Sequence, residues 1–169
     1  MKIRQETAAD HGQVSALIAS AFAGAEHADG NEQGLVTALR QGDAFVPELS
    51  LVAEEAGEIV GHILFTKAMV GQTEVLALAP LSVLPSRQGQ GIGLALMEAG
   101  HRIARKLGYP YALVLGSETY YPKAGYGPAV ALGVEVPPGM PRENFMAIRL
   151  RQGADPLRGP VVYAREFGL

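Results

Sequence analysis

Three glycines alternate in the segment 88–93, Gln-Gly-Gln-Gly-Ile-Gly, between an apolar run and a long amphipathic stretch. Because glycine has no Cβ, Gly89, Gly91 and Gly93 allow left-handed backbone conformations and the close approach of a ligand. The first-turn amides of a helix lack intrahelical acceptors and carry a partial positive charge. A glycine-rich turn that leads into a helix is therefore a candidate cradle for a phosphate or diphosphate, and a merely flexible turn is the alternative.

The residues around these glycines narrow the choice of phosphate ligand. A P-loop requires Lys followed by Ser or Thr, and the segment 85–93 contains no lysine. A dinucleotide-binding fingerprint requires a further glycine three positions after Gly91, where Leu94 stands. Both nucleotide-binding patterns are therefore disfavoured.

The same segment resembles the Gln/Arg-x-x-Gly-x-Gly/Ala motif of the GNAT N-acetyltransferase family. Three further runs, 61–65, 78–85 and 115–129, resemble one bacterial branch of predicted N-acetyltransferases and occur in the same order. The resemblance covers nearly the whole chain. It implies an α/β fold with a central mixed sheet flanked by helices, the GNAT-like acyl-CoA N-acyltransferase fold. It also implies acetyl-CoA as the cosubstrate, without a metal.

The resemblance assigns residues to acetyl-CoA. In the family, backbone amides of the motif hold the pyrophosphate, which implies Gln88, Gly89, Gln90, Gly91, Ile92 and Gly93 here. The preceding strand binds pantetheine and the thioester carbonyl through its backbone, which implies Leu81, Ser82 and Val83. Arg87 is a candidate for a CoA phosphate, and a solvated arginine is an equal alternative.

A tyrosine is the candidate general acid for the departing CoA thiolate. In the family it commonly belongs to a Tyr-x-x-x-Gly-Phe/Tyr segment after the fifth strand, and this spacing selects Tyr121, with Gly125 and Tyr126 completing the pattern. A thiol with a pKa of about 8.5 leaves more readily with a proton donor nearby. A packing role is the alternative for Tyr121, and Tyr120 is the second candidate acid.

The general base is harder to assign. Deprotonating an amine with a pKa of about 10.4 at pH 7 costs about 5 kcal/mol, so a base or a water relay to solvent is needed. Many relatives carry a glutamate on the central strand, but the segment 76–81 here has no carboxylate. His62 is the candidate base, with a satisfied core histidine as the alternative. Further candidates, for each of which a surface group is the favoured alternative, are Glu54, Glu118, Glu26 and His27.

Periodicity predicts the elements that position these residues, in the order β-α-α-β-β-β-α-β-α-β-β within a single domain over 1–169. The run 74–84, apolar at nearly every position, is typical of a central strand. Thr7 with Asp10, and Asp29 with Glu32, predict two helix starts. Strands are expected at 2–6, 49–54, 59–68, 74–84, 111–115 and about 129–136, 143–150 and 160–166, and helices at about 8–22, from 32 to near 39, and at 92–107.

Composition excludes several classes of protein. With 14 Lys+Arg against 17 Asp+Glu the net charge is −3. The sequence lacks the basic stripe that would indicate nucleic-acid binding. No apolar run approaches the roughly 20 residues of a membrane helix, and a cytoplasmic location is expected. The chain has no cysteine, which excludes disulfides, thiolate metal sites and an acyl-cysteine intermediate. Transfer should therefore be direct.

Two functions of different classes fit these features. The first is an acetyltransferase that acts on a primary amine of a small molecule or a protein. The second is a non-catalytic CoA-binding module or sensor, which the missing central glutamate motivates. Acceptor selectivity is expected from the loops 24–29 and 137–142, whose mixed polarity identifies no acceptor. The family often forms homodimers, so self-association is a further expectation.

Overall fold

The computed structural model describes residues 1–23 and 30–169. The order of its main elements matches the predicted α/β pattern up to the fifth strand. The described strands and helices are β1 (Lys2–Gln5), α1 (His11–Phe22), α2 (Glu32–Arg40), β2 (Phe45–Glu55), β3 (Glu58–Val70), β4 (Thr73–Val83), α3 (Ile92–Leu107), β5 (Tyr111–Leu115), β6 (Gly127–Pro128), β7 (Val134–Glu135), β8 (Phe145–Arg149) and β9 (Gly159–Val162).

The helix starts follow the polar residues that precede them. The Asp10 carboxylate accepts the Thr7 backbone N–H at 2.7 Å, so the predicted pair forms at a short 3-10 turn that leads directly into α1. Helix α2 begins at Glu32 with Asn31 in the N-cap position. The other predicted capping residue, Asp29, lies outside the described residues.

The main sheet has the strand order β1-β2-β3-β4-β5-β8-β6, and β9 adds to β3. All of these pairs are antiparallel except β4 with β5, whose parallel direction requires the crossover through α3. β4 pairs with β5 at Leu76–Ala112 and Ala77–Leu113, whereas its pairing with β3 continues to Val83. In the described part of the chain, the end of β4 from 78 to 83 thus has a strand partner on the β3 side alone.

The two faces of the sheet are covered differently. Helix α3 packs on one face, where its Leu96 and Met97 belong to one core cluster with Ile63 and Phe65 of β3. The other face is shared by two clusters, one beneath α1 and α2 and one beneath the C-terminal segment. The first contains Val14, Leu17, Val36, Val52 and Leu64, and the second contains Val70, Leu113, Ala129, Val134, Phe145 and Leu157.

The region after β5 differs from the prediction in two elements. The helix expected there is a single 3-10 turn, Tyr121–Ala124, because Pro122 stands at its start and Gly125 ends it with φ +102°. The strand expected at about 129–136 is a 3-10 turn, Ala129–Leu132, followed by the two-residue β7. These short turns leave the tyrosines at 120 and 121 directly beside the end of β4.

Candidate functional site

A cleft of about 550 Å³ opens where the last residues of β4, the glycine turn and the segment after β5 meet. Eight of the ten residues predicted to bind the cosubstrate line it. Both candidate acids, Tyr120 and Tyr121, line the same cleft. Its described lining consists of Leu81, Val83, Arg87, Gln88, Gly89, Gly91, Ile92, Gly93, Leu94, Tyr120, Tyr121 and Lys123.

Two of the glycines have the geometry of a cradle. Gly89 and Gly91 have φ values of +77° and +85°, and a Cβ built on either would meet no protein atom within 4 Å. Gly91 is the N-cap residue of α3, and the first-turn residues Ile92, Gly93 and Leu94 line the cleft. Amides without intrahelical acceptors and open space above the backbone together suit a diphosphate.

Gly93 has a different reason to be glycine. A Cβ at this position would overlap the hydroxyl of Tyr120. The missing side chain therefore admits Tyr120 against the first turn of α3. The alternating pattern in the sequence does not distinguish this steric role from the role of Gly89 and Gly91.

Two predicted cosubstrate residues do not line the cleft with their side chains. Ser82 is only 1% exposed, and it pairs across the strands with His62 on the face opposite α3. Its contribution to a ligand is thus limited to its backbone. The Gln90 side chain accepts a hydrogen bond from Arg87 Nε at 3.1 Å.

The cationic side chains of the cleft are Arg87 and Lys123. Arg87 forms an ion pair with Glu55, so it is neither a fully solvated arginine nor an unpaired one. Lys123 lies over the ring of Tyr120, with Nζ 6.0 Å from the ring centroid. Sequence reasoning did not select Lys123, because it occupies a variable position of the tyrosine motif. No carboxylate or histidine is among the described residues that line the cleft, so the site suits an anionic ligand.

Tyr121 is fixed by aromatic contacts. Its ring packs against Gly116, where a Cβ would overlap it. The rings of Tyr120 and Tyr126 contact it edge-to-face, at centroid distances of 5.2 and 5.9 Å. Burial, together with the neighbouring Tyr120, raises the pKa of Tyr121 to about 12. Its phenol is therefore protonated throughout the physiological pH range and remains a hydrogen-bond donor.

Asn144 holds the loop on which Tyr121 rests. Its side-chain amide donates to the Gly116 carbonyl at 2.9 Å and to the Glu118 carboxylate at 2.7 Å. Glu118 is thereby engaged outside the cleft lining. Sequence reasoning missed Asn144, since it lies 28 residues from Gly116 and in no motif.

The structure does not bring the candidate base His62 to the cleft. Its side chain in β3 is completely buried, and Nε2 lies 3.1 Å from Ser50 Oγ and 3.6 Å from Glu6 Oε2. Burial lowers its pKa to about 4, so the ring is neutral at pH 7. A direct base must touch the amine, and a completely buried ring that is absent from the cleft lining does not. This corrects the expectation for His62: it is a core histidine whose Nε2 is paired, whereas its Nδ1 has no hydrogen-bond partner among the described residues.

Glu54, a further candidate base, also lies away from the cleft lining. Glu54 accepts a hydrogen bond from Arg4 Nη2 at 2.9 Å, at the β1–β2 edge of the sheet. Glu26 and His27 are outside the described residues.

Within 1–23 and 30–169, no helix is both long and apolar enough to cross a membrane.

The similarities of this chain to known proteins point to the same family as the glycine motif. The acetyltransferase (GNAT) family model matches residues 17–126. The uncharacterized N-acetyltransferase YjhQ of Escherichia coli K12 is 39% identical over 118 residues, which are 67% of this chain and 65% of YjhQ. The chain thus matches just under two thirds of the length of that relative.

Two solved structures are similar over nearly their full length. A GNAT family acetyltransferase from Brucella melitensis, in complex with acetyl-CoA, is 32% identical with a TM-score of 0.82, covering 98% of this chain and 97% of its own. YhbS from E. coli, in complex with CoA, is 26% identical with a TM-score of 0.86, covering 99% of this chain and 92% of its own. The family that the glycine motif predicted is confirmed: the chain belongs to the GNAT acetyltransferases.

Proposed function

We propose that the protein transfers the acetyl group of acetyl-CoA directly to a primary amine of a small molecule or a protein. One observation carries the proposal: the glycine cradle and Tyr121 open into the same cleft, beside the end of β4 that lacks a partner on the β5 side. A diphosphate on the cradle and a thioester beside Tyr121 would then belong to one extended ligand. The acetyl-CoA and CoA complexes of the two similar proteins support this choice of ligand.

The chain contributes donors at both ends of that ligand. The amides at the start of α3 bind the diphosphate, Lys123 adds positive charge beside it, and Arg87 offers further N–H donors while paired with Glu55. The backbone of β4 at 81–83 would bind the thioester carbonyl, and the edge of β4 at the cleft, free of a strand partner in the described part of the chain, supports this role. An N–H aimed at this oxygen is worth most when negative charge develops on it during amine attack.

The reaction forms a C–N bond and breaks the C–S bond. From an ammonium to an amide, the acceptor loses two protons: one leaves before attack and the other ends on the CoA thiol. Tyr121 donates a hydrogen bond to the departing sulfur. Since its pKa of about 12 exceeds that of a thiol, outright transfer costs about 5 kcal/mol, and the ammonium of the tetrahedral adduct supplies the balancing proton.

The first proton leaves to solvent. No described side chain of the cleft lining is a carboxylate or a histidine, so the amine binds neutral or loses its proton through water. The same observation favours a second candidate function, a CoA-binding sensor without turnover.

Incubation of the protein with acetyl-CoA and a panel of amines tests the choice between these functions. The panel contains a polyamine, lysine, an aminoglycoside and a peptide with a free N-terminus, and thiol release is measured against a protein-free blank. Release above the blank with any amine supports the enzyme. Tight CoA binding with no release from the whole panel favours the sensor, and a Tm raised by NAD but not by CoA contradicts both.

A further inference from the structure

Helix α3 carries a buried histidine that the proposed reaction does not use. His101 is 2% exposed, and its Nε2 lies 2.9 Å from the hydroxyl of Tyr126, which is 3% exposed. Burial lowers the pKa of His101 to about 4 and raises that of Tyr126 well above its usual value. Both groups are neutral between pH 6 and 9, so this hydrogen bond is present across the range of an activity assay.

Tyr126 connects this bond to Tyr121. The ring of Tyr126 meets the ring of Tyr121 edge-to-face at an interplanar angle of 79°. The His101 ring also contacts the ring of Phe65 in β3, at a centroid distance of 5.8 Å and an interplanar angle of 62°. The imidazole is therefore held between the sheet and Tyr126, and Tyr126 is held against the candidate acid.

Helix α3 thus touches the tyrosine segment at two places. The first turn admits the Tyr120 hydroxyl against Gly93, and a later turn binds Tyr126 through His101. These two positions are eight residues apart, about 12 Å along a helix. Because the same helix begins at the glycine cradle, one rigid element sets the distance between the cradle and the tyrosines.

A polar pair is not required to fill this part of the core. An apolar pair of similar size would fill the same space and avoid the cost of burying two polar groups. A hydrogen bond, unlike an apolar contact, is directional and restricts both distance and orientation. The pair therefore restricts the Tyr126 ring more tightly than packing alone would.

We propose that His101 is a positioning residue for acyl transfer, which acts through Tyr126 to hold Tyr121 at a set distance from the glycine cradle. This inference rests on the proposed function, since it assigns a role to Tyr121 in that reaction. It predicts that losing the pair lowers kcat and leaves the affinity for CoA unchanged.

The test is a mutant cycle measured as thiol release from acetyl-CoA with the most active amine of the panel. The double variant His101→Leu/Tyr126→Phe removes both polar partners, so neither is left unpaired. We expect kcat to fall about 10-fold, a Kd for CoA within twofold of the parent, and a fold retained by circular dichroism. His101→Gln, which still offers Tyr126 a hydrogen-bond partner, should keep most of kcat.

The decisive measurement repeats the cycle in a Tyr121→Phe background. If His101 acts through Tyr121, the double variant costs no further activity there. A double variant with parental kcat, or with the same 10-fold loss in both backgrounds, overturns the inference. If the double variant does not fold, Tyr126→Phe alone is measured in the same cycle against the same expectations.

The acid role of Tyr121 and the positioning role of His101 are tested by different outcomes. If Tyr121→Phe lowers kcat but the pair does not, the positioning role is wrong and the acid survives. If Tyr121→Phe leaves kcat unchanged, the acid assignment is wrong, and the positioning role is overturned with it.

Discussion

Tyr121 and His62 both carry titratable rings that could act in catalysis, but Tyr121 is partly buried at the cleft whereas His62 is completely buried. Tyr121 lines the cleft and keeps its proton, because burial raises its pKa to about 12. His62 is enclosed by β2, β3 and the Glu6 carboxylate, and burial keeps its ring neutral. One side chain remains available as a donor to a ligand, and the other belongs to the core.

The Tyr121→Phe variant should separate catalysis from binding. If Tyr121 is the proposed donor to the departing thiolate, loss of its hydroxyl should lower kcat roughly 10²-fold with CoA affinity within twofold. Isothermal titration with CoA and steady-state kinetics measure the two quantities. Tyr120→Phe is the matched control, since it removes the neighbouring hydroxyl at Gly93. An equal loss of CoA binding in Tyr121→Phe would contradict the acid assignment.

The pH dependence of kcat/KM should follow the pKa of the acceptor amine. Since no carboxylate or histidine is among the described residues of the cleft lining, log kcat/KM should rise with unit slope up to the pKa of the amine. Two amines whose pKa values differ by about one unit should give inflections that differ equally. An inflection between pH 6 and 7 that stays in place with both amines would reveal a base on the protein.

At the scale of elements, α3 has a glycine cap with positive φ at each end. Gly91 caps the N-terminus at φ +85° and Gly108 caps the C-terminus at φ +92°. A Cβ at either position would meet no protein atom within 4 Å. The two residues carry the same backbone demand, but only Gly91 lines the cleft.

Gly91 and Gly108 therefore provide a matched pair of variants. Gly91→Ala and Gly108→Ala should each destabilise the fold by about 1–2 kcal/mol, because Ala is strained at positive φ. Gly91→Ala alone should weaken CoA binding, by 10-fold or more, since its methyl group occupies the cradle. Thermal unfolding and calorimetric titration measure both effects. Unchanged CoA affinity in Gly91→Ala would refute the cradle.

At the scale of the whole molecule, two buried histidines link stability to pH. Burial lowers the pKa of both His62 and His101 from 6.5 to about 4. Between pH 6.5 and 4 the unfolded chain binds these protons more fully than the folded chain does, so stability rises with pH between the two values. The contribution is fully present above pH 6.5 and is lost as the pH falls toward 4.

The free energy of unfolding should therefore decrease between pH 6.5 and 4.5, by about 2–3 kcal/mol for each histidine. Urea denaturation at a series of pH values measures this decrease. His62→Gln, which does not titrate, should show about half the pH dependence of the parent. A free energy of unfolding that is constant over this window would show that the folded protein protonates both rings.

Local patterns in the sequence determined the family, most strand and helix positions, and the left-handed backbone that Gly89 and Gly91 adopt. These features depend on residues close together in the chain, so spacing alone exposes them. Tertiary structure decided what lies between distant residues: the burial of His62, the role of Gly93 against Tyr120, and the support that Asn144 lends to Tyr121. Burial and contact are set when the sheet closes around its core, and no one segment carries that information alone.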